Sequence, residues 1–258
     1  ASTAAYNSAY LQWVITAFMF LFSINFNLYY FMLIKKFSAV AKDSEWKIFT
    51  LVVIAATVAI TASVYKAYPT FEEAVRTAAF QVVSVISTTG FITANYDTWS
   101  GFAKIIIIML MFVGACAGST GGGLKIARIE IMAKTASKTL RSLVRPNSVS
   151  NIKIDGKIID DETVRTTSGY FIVYMALFAV SVLLISINNL TVEESISSVA
   201  TCINNVGPGL GIVGPVGNFS TLSFFSKLVL SLDMLLGRLE IFPLILLLVP
   251  SVWRRKFI

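Results

Sequence analysis

The sequence predicts an all-α integral membrane protein assembled from repeated units, each a membrane span, a re-entrant loop and a second span. Three observations predict it. Hydrophobic residues make up 56% of the 258 positions and charged residues 14%, and the mean hydropathy is +0.76, which excludes an ordinary soluble domain. The apolar residues are gathered into five runs, about 11–34, 48–68, 101–117 with a continuation, 167–188 and 222–250. Each is near the ~20 residues that cross ~30 Å of hydrocarbon. Between those runs, two stretches 121 residues apart resemble each other: Thr70-Phe71-Glu72-Glu73 leading to Ser87-Thr88-Thr89-Gly90-Phe91, and Thr191-Val192-Glu193-Glu194 leading to Asn204-Asn205-Val206-Gly207-Pro208.

The first run, Tyr10 to Leu33, reads as a lone spanning helix. Residue 1 is Ala and no signal peptide is recognisable in 1–10. Residues 1–47 are therefore expected to hold the closing helix of an earlier unit and a cytoplasmic link, in the carboxy-terminal part of a longer polypeptide or in a chain renumbered after a break. Residues 48–150 and 166–258 are expected to form two complete units, with a cytoplasmic hairpin at 151–165 between them.

Basic residues fix the orientation. Sixteen of the 21 lie after the first run (Lys35 to Lys47), between the third and fourth (Lys125 to Arg165) or after the fifth (Arg254 to Lys256), whereas 1–10, 69–100 and 189–221 hold only Arg76. The positive-inside rule makes the basic side cytoplasmic and sends both re-entrant loops in from outside. Nucleic-acid or lipid-head-group binding is the competing reading of the basic loop; topology alone explains the charge, so membrane lipid is expected around the chain and nucleic acid is not a partner.

In each re-entrant stretch a Thr stands three residues before a Glu (Thr70 and Glu73, Thr191 and Glu194), the capping-box signature of a helix start. Glu73 to Gly90 is 17 residues and Glu194 to Gly207 is 13, so the second helix is expected to be about one turn shorter. Such helices aim their negative carboxyl ends at the membrane centre, which suits a cation. The turns that follow are rich in exposed carbonyls and hold a glycine that lets consecutive carbonyls face one way. A dehydrated cation needs such oxygens in place of water, so Thr88, Thr89, Gly90, Asn205, Val206 and Gly207 are the candidate ion-binding residues. Ordinary loop turns are the competing reading; repetition, capping and position between spans favour a filter.

The third run is broken by Gly114-Ala115-Cys116-Ala117-Gly118-Ser119-Thr120-Gly121-Gly122-Gly123, and helix-favouring sequence resumes at Leu124. Three successive glycines cost a helix roughly 1 kcal/mol each relative to alanine, and non-helical backbone at this depth needs protein or water against it. A flexible plug beneath the filter fits better than a passive kink, or than a phosphate loop whose spacing is absent. In the basic segment, Asp155-Gly156 between alternating residues signals a two-stranded hairpin. The last run holds Asp233, Arg238 and Glu240. An arginine in mid-span costs roughly 2.5–3.5 kcal/mol, so it is expected to face a watery cavity or an acidic partner, Asp233 or Glu240. Cys116 and Cys202 are not expected to form a disulfide, the absence of histidine excludes His-based metal sites and proton relays, and no nucleophile–base pair points to an enzyme.

With these motifs in view, Ser87-Thr88-Thr89-Gly90-Phe91, Gly118-Ser119-Thr120-Gly121-Gly122-Gly123-Leu124-Lys125, Asn205-Val206-Gly207-Pro208-Gly209 and Gly237-Arg238-Leu239-Glu240-Ile241-Phe242-Pro243, the chain resembles the TrkH-type membrane subunits of bacterial potassium uptake systems, within the Trk/Ktr/HKT superfamily. The resemblance covers essentially the whole chain. It implies four units around one central cation pore, of which this chain holds the last helix of the second and all of the third and fourth. It implies potassium (K+) as the transported ion, an intramembrane gate at 118–123, Arg238 in the permeation path, a homodimer, a cytosolic nucleotide-binding regulatory ring, the missing amino-terminal half as a partner, and a multi-pass location in the bacterial plasma (inner) membrane. The hairpin makes the chain look more TrkH-like than Ktr-like. A sodium-dependent or sodium-permeable Ktr/HKT-like transporter and a re-entrant-hairpin secondary transporter are the alternatives.

Overall fold

The computed structural model describes residues 3–6, 8–145, 151–239 and 241–248. Helices dominate it. The first unit is α4 (Ser44–Val64), a re-entrant helix α5 (Phe71–Ile86) and α6 (Gly101–Val113); the second is α8 (Asp161–Ser186), α9 (Val192–Ile203) and α10 (Phe224–Arg238) followed by α11 (Ile241–Leu248). Ahead of them lie α1 (Ala9–Phe22), α2 (Phe26–Leu33) and α3 (Phe37–Lys42), and α7 (Ile126–Val144) connects the units. The α5 helix packs against α1, α4 and α6, and α9 against α8, α10 and α6, so each short helix is enclosed by helices of its own unit and of a neighbouring one. The main core is where α5 meets its neighbours: Phe49, Ile60, Phe80, Ile86, Ile107 and Met111 are buried there.

Capping follows the sequence. Thr70 accepts the Glu73 N–H and Thr191 the Glu194 N–H, but only Thr191 has the full reciprocal box, with Glu194 returning a bond to the Thr191 N–H. The two helices have 16 and 12 residues, one turn apart as expected. The hairpin pairs Lys153–Ile154 with Lys157–Ile158, and Asp155 and Gly156 both take positive φ (50° and 79°), the geometry of a tight hairpin turn. Helix α8 already begins at Asp161, capped by Asp160, whose carboxyl is held below its ordinary value by the Thr163 hydroxyl and N–H.

Three expectations are corrected. Among the described residues only Ser44–Ala67 and Asp161–Ser186 are helical segments long and apolar enough to cross a membrane alone; α1 with α2 makes a third, bent by 90°. The expected continuous helix from Tyr10 to Leu33 thus breaks at Ser23-Ile24-Asn25. Asn25 caps α2 by accepting the Asn27 N–H, and the backbone groups freed by the break are taken up by the glycine-rich segment: Cys116 N–H to the Ser23 carbonyl, Thr120 N–H to the Phe22 carbonyl, and Phe26 N–H to the Gly118 carbonyl. Such breaks within a membrane need substitute partners. The last run is likewise two helices, α10 ending at Arg238, so this arginine sits at a helix carboxyl end, where the dipole favours a cation. Third, Arg238 forms no ion pair with Asp233. The Asp233 carboxylate is buried and accepts the Ser181 hydroxyl at 2.7 Å instead, tying α10 to α8. Glu240, the other suggested partner, lies outside the described residues.

Candidate functional site

The turns that end α5 and α9 are built alike. After α5, the N–H groups of Thr88, Thr89 and Gly90 donate back to the carbonyls of Val85, Ser84 and Ser84. After α9, those of Asn205 and Val206 donate to Cys202 and Thr201 carbonyls, and that of Gly207 to the Thr201 hydroxyl at 2.9 Å. The donors are thus occupied by the helix ends. Among the described residues, none of the six carbonyls of Thr88, Thr89, Gly90, Asn205, Val206 and Gly207 accepts a hydrogen bond. Thr88 and Asn205, at matching places, share positive φ (55° and 56°), as do Gly90 and Gly207 (72° and 113°).

The two turns approach each other closely. A Cβ on Gly90 would stand 2.2 Å from the Val206 carbonyl oxygen and 3.1 Å from Pro208 Cδ. Behind them, hydroxyls brace the loops: Ser84 Oγ donates to the Phe91 carbonyl at 2.7 Å, Thr201 Oγ1 to the Pro208 carbonyl at 3.2 Å. Fully buried Asn204 donates to the Ala200 carbonyl and accepts the Tyr174 hydroxyl at 3.0 Å, which anchors the second turn to α8. Cys116 and Cys202 are both free and buried.

The glycine-rich segment lies directly against both turns. Gly122 N–H donates to Thr88 Oγ1 at 2.9 Å, and added Cβ atoms on Gly121 and Gly122 would reach the Ser87 carbonyl (3.4 Å) and the Asn204 carbonyl (2.8 Å). It closes on its own start just beyond α6, with Ile126 N–H on the Ala115 carbonyl and Gly114 turning at φ 69°. Ser119 closes it internally, donating to the Cys116 carbonyl and accepting the Gly121 N–H. Arg238 reaches the same segment, Nη1 to the Thr120 carbonyl at 3.4 Å, and is exposed. Arg238, Lys125, Arg128 and Gly118's neighbours Ser119 to Gly123 border one cavity of about 260 Å³. Gly237 makes that approach possible: a Cβ there would meet the Ile203 carbonyl oxygen at 1.7 Å.

The sequence-singled residues of the two turns, of the glycine-rich segment and Arg238 therefore come together in one region. Several participants were not legible beforehand. Ser84, Thr201 and Tyr174 act through side-chain hydrogen bonds to residues 7, 7 and 30 positions away, and Glu45 bonds to Ala117 at the start of the glycine-rich segment from a helix 72 residues earlier in the chain. The Thr201 hydroxyl, one turn before Asn204, was the available signal.

Two units, each a membrane-length helix, a short helix and a further apolar helix, with both short helices ending at neighbouring loops, define a multi-pass membrane protein of the pore-loop class. A family model described as TrkH, cation transport protein, matches residues 1–255. The Trk system potassium uptake protein TrkH of Salmonella typhimurium is 34% identical over 260 residues, covering 98% of this chain and 53% of the relative. The protein of the same name from Vibrio parahaemolyticus is 37% identical over 187 residues, covering 72% of this chain and 37% of the relative. The crystal structure of the potassium transporter TrkH from Vibrio parahaemolyticus matches with a TM-score of 0.90 at 32% identity, covering 98% of this chain and 55% of that one. The chain belongs to the TrkH family, a family of multi-pass plasma-membrane proteins. It spans about half the length of the curated relatives it matches.

Proposed function

We propose that this chain supplies two of the loops of a potassium-selective pore and takes part in potassium uptake across the bacterial plasma membrane. The observation that carries the reading is the set of six unbonded carbonyls on two neighbouring turns, each turn at the negative end of a short helix. Carbonyl oxygens of this kind replace the hydration shell of a monovalent cation, and several loops around an axis complete the shell. Thr88, Thr89, Gly90, Asn205, Val206 and Gly207 hold the ion; Gly118 to Gly123 and Arg238 form the gate beneath. The rest of the pore comes from the part of the full-length protein that this chain lacks. The assembly is a homodimer bound to a cytosolic nucleotide-binding ring, which docks near the hairpin. No catalysis is involved, and potassium is cargo.

A secondary transporter gripping an anion is disfavoured, since its broken helices would point positive amino ends inward, whereas α5 and α9 bring their carboxyl ends to the centre. Relatives are named as potassium uptake proteins, which favours potassium over sodium as cargo. Uptake of radiolabelled rubidium into liposomes holding the full-length protein, competed by unlabelled potassium or sodium, tests this. Competition by potassium alone is expected. Equal competition by sodium supports the sodium-permeable alternative, and absence of uptake refutes the pore.

A further inference from the structure

Glu45 lies in the first turn of α4, far in sequence from the glycine-rich segment, yet its carboxylate is buried against it. One oxygen, Oε1, accepts two backbone N–H groups: Ala117 at 2.6 Å and Ala127 at 3.1 Å. These residues stand at the two feet of the segment, one just before Gly118 and the other in the first turn of α7. The amino end of α7 is not capped by its own N-cap residue, because the Lys125 side chain makes no capping bond there. A helix start left bare in a membrane protein needs an acceptor; here another helix supplies it, and the same atom holds the opposite foot.

The preceding residue faces the hairpin. Ser44 donates its backbone N–H to Asp155 Oδ1 at 2.8 Å, and its hydroxyl bonds the Glu130 carboxylate at 2.9 Å. Glu130 also pairs with Lys134 at 2.7 Å, and Lys134 donates to the Lys153 carbonyl at 2.8 Å. Two routes thus join the hairpin to Ser44, and Ser44 is covalently next to the residue that clamps both feet.

We propose that Glu45 is the positioning residue that keeps the glycine-rich segment under the turns, and that Ser44 passes the position of the hairpin to it. This rests on the reading of Gly118–Gly123 as a gate. Displacing the hairpin pulls Asp155 from Ser44, turns the start of α4 and loosens both feet together, because a single oxygen serves the two.

The test reads loop position apart from transport. The full-length protein in liposomes carries one reporter, Thr120→Cys, with Cys116, Cys202 and any other cysteine replaced by serine, and the rate of labelling by a membrane-impermeant maleimide is measured. With Glu45→Ala, labelling should accelerate about tenfold, as two charge-assisted bonds are lost. Glu45→Gln keeps an oxygen that accepts both N–H groups and should stay within about twofold of the parent. Glu45→Asp, one methylene too short for both feet, should fall between. Asp155→Gly, compatible with positive φ, should accelerate labelling about threefold through the weakened relay. Parent-like labelling in Glu45→Ala overturns the clamp, and parent-like labelling in Asp155→Gly overturns the relay. If Glu45→Ala yields no folded protein, equal rates in Glu45→Asp and Glu45→Gln overturn the clamp. Rubidium uptake by the parent, without the reporter, is measured alongside: its absence defeats the pore reading, while the labelling series still decides whether Glu45 positions the segment.

Discussion

Gly90 and Gly207 occupy matching places in the two turns, and both have positive φ, yet they differ in surroundings. A Cβ on Gly90 would lie 2.2 Å from the Val206 carbonyl oxygen, whereas nothing lies within 4 Å of one on Gly207. Substitution at either site strains the backbone by roughly 1–2 kcal/mol, the cost of placing an L-residue in the left-handed region. Only at Gly90 must something also move: restoring even a tight 3.0 Å contact pushes the Val206 carbonyl away by at least 0.8 Å, the difference between 3.0 and 2.2 Å. A coordinating oxygen displaced by that much no longer fits a cation whose other oxygens stay put. Gly90→Ser in the full-length protein should therefore lower the preference for potassium over sodium about tenfold, or roughly 1.4 kcal/mol. Gly207→Ala should lower thermal stability while leaving selectivity within about twofold, because strain alone was added. Rubidium uptake competed by potassium and by sodium reads both variants. Unchanged selectivity in Gly90→Ser, in protein of normal yield, refutes the assignment of Gly90; equal loss in both variants refutes crowding as the cause.

Arg238→Ala should raise cation flux without changing selectivity, since like charges 4 Å apart repel by roughly 4 kcal/mol at an effective dielectric of about 20; unchanged flux at normal yield removes Arg238 from the path. Deleting two of the glycines from Gly121–Gly123 should raise basal flux and weaken dependence on the cytosolic partner, and a folded deletion protein that conducts less than its parent makes the segment structural. Burial pushes the Asp97 carboxyl above its ordinary value despite the opposing bond from Gly211 N–H. The folded state therefore holds this proton more tightly, its stabilising contribution is present in acid and lost as pH rises through the raised value, and Asp97→Asn should flatten the corresponding fall in Tm. An equal pH slope in parent and variant assigns the effect elsewhere.

The parts of this molecule written in local chemistry were legible in the sequence. Thr70 and Thr191 announced the two short helices, Asp155-Gly156 the hairpin, and the glycines after Ala117 the break before α7. Residues joined across long separations were not. The Ser23-Ile24-Asn25 break is hidden inside an apolar run, because its cost is met by backbone groups at 116–120. The Asp233–Arg238 pairing was suggested by closeness in sequence, but Asp233 turns to Ser181, 52 residues away. Gly237 was visible as a motif residue, though its reason, the passage of α10 over the Ile203 carbonyl, needed the fold.

The bent pair α1–α2 has a consequence for how the glycine-rich segment can move. Among the described residues, its carbonyls at Phe22 and Ser23 and its N–H at Phe26 find their partners at Thr120, Cys116 and Gly118, in that segment and its leading edge. Were the segment to leave through a dry interior, those groups would be stranded at about 1–3 kcal/mol each. Water must arrive as the segment departs, so displacement and wetting are one event. Osmolytes too large to enter should then hold the segment in place, and their effect should grow with concentration, as the work of drawing water into the bend grows.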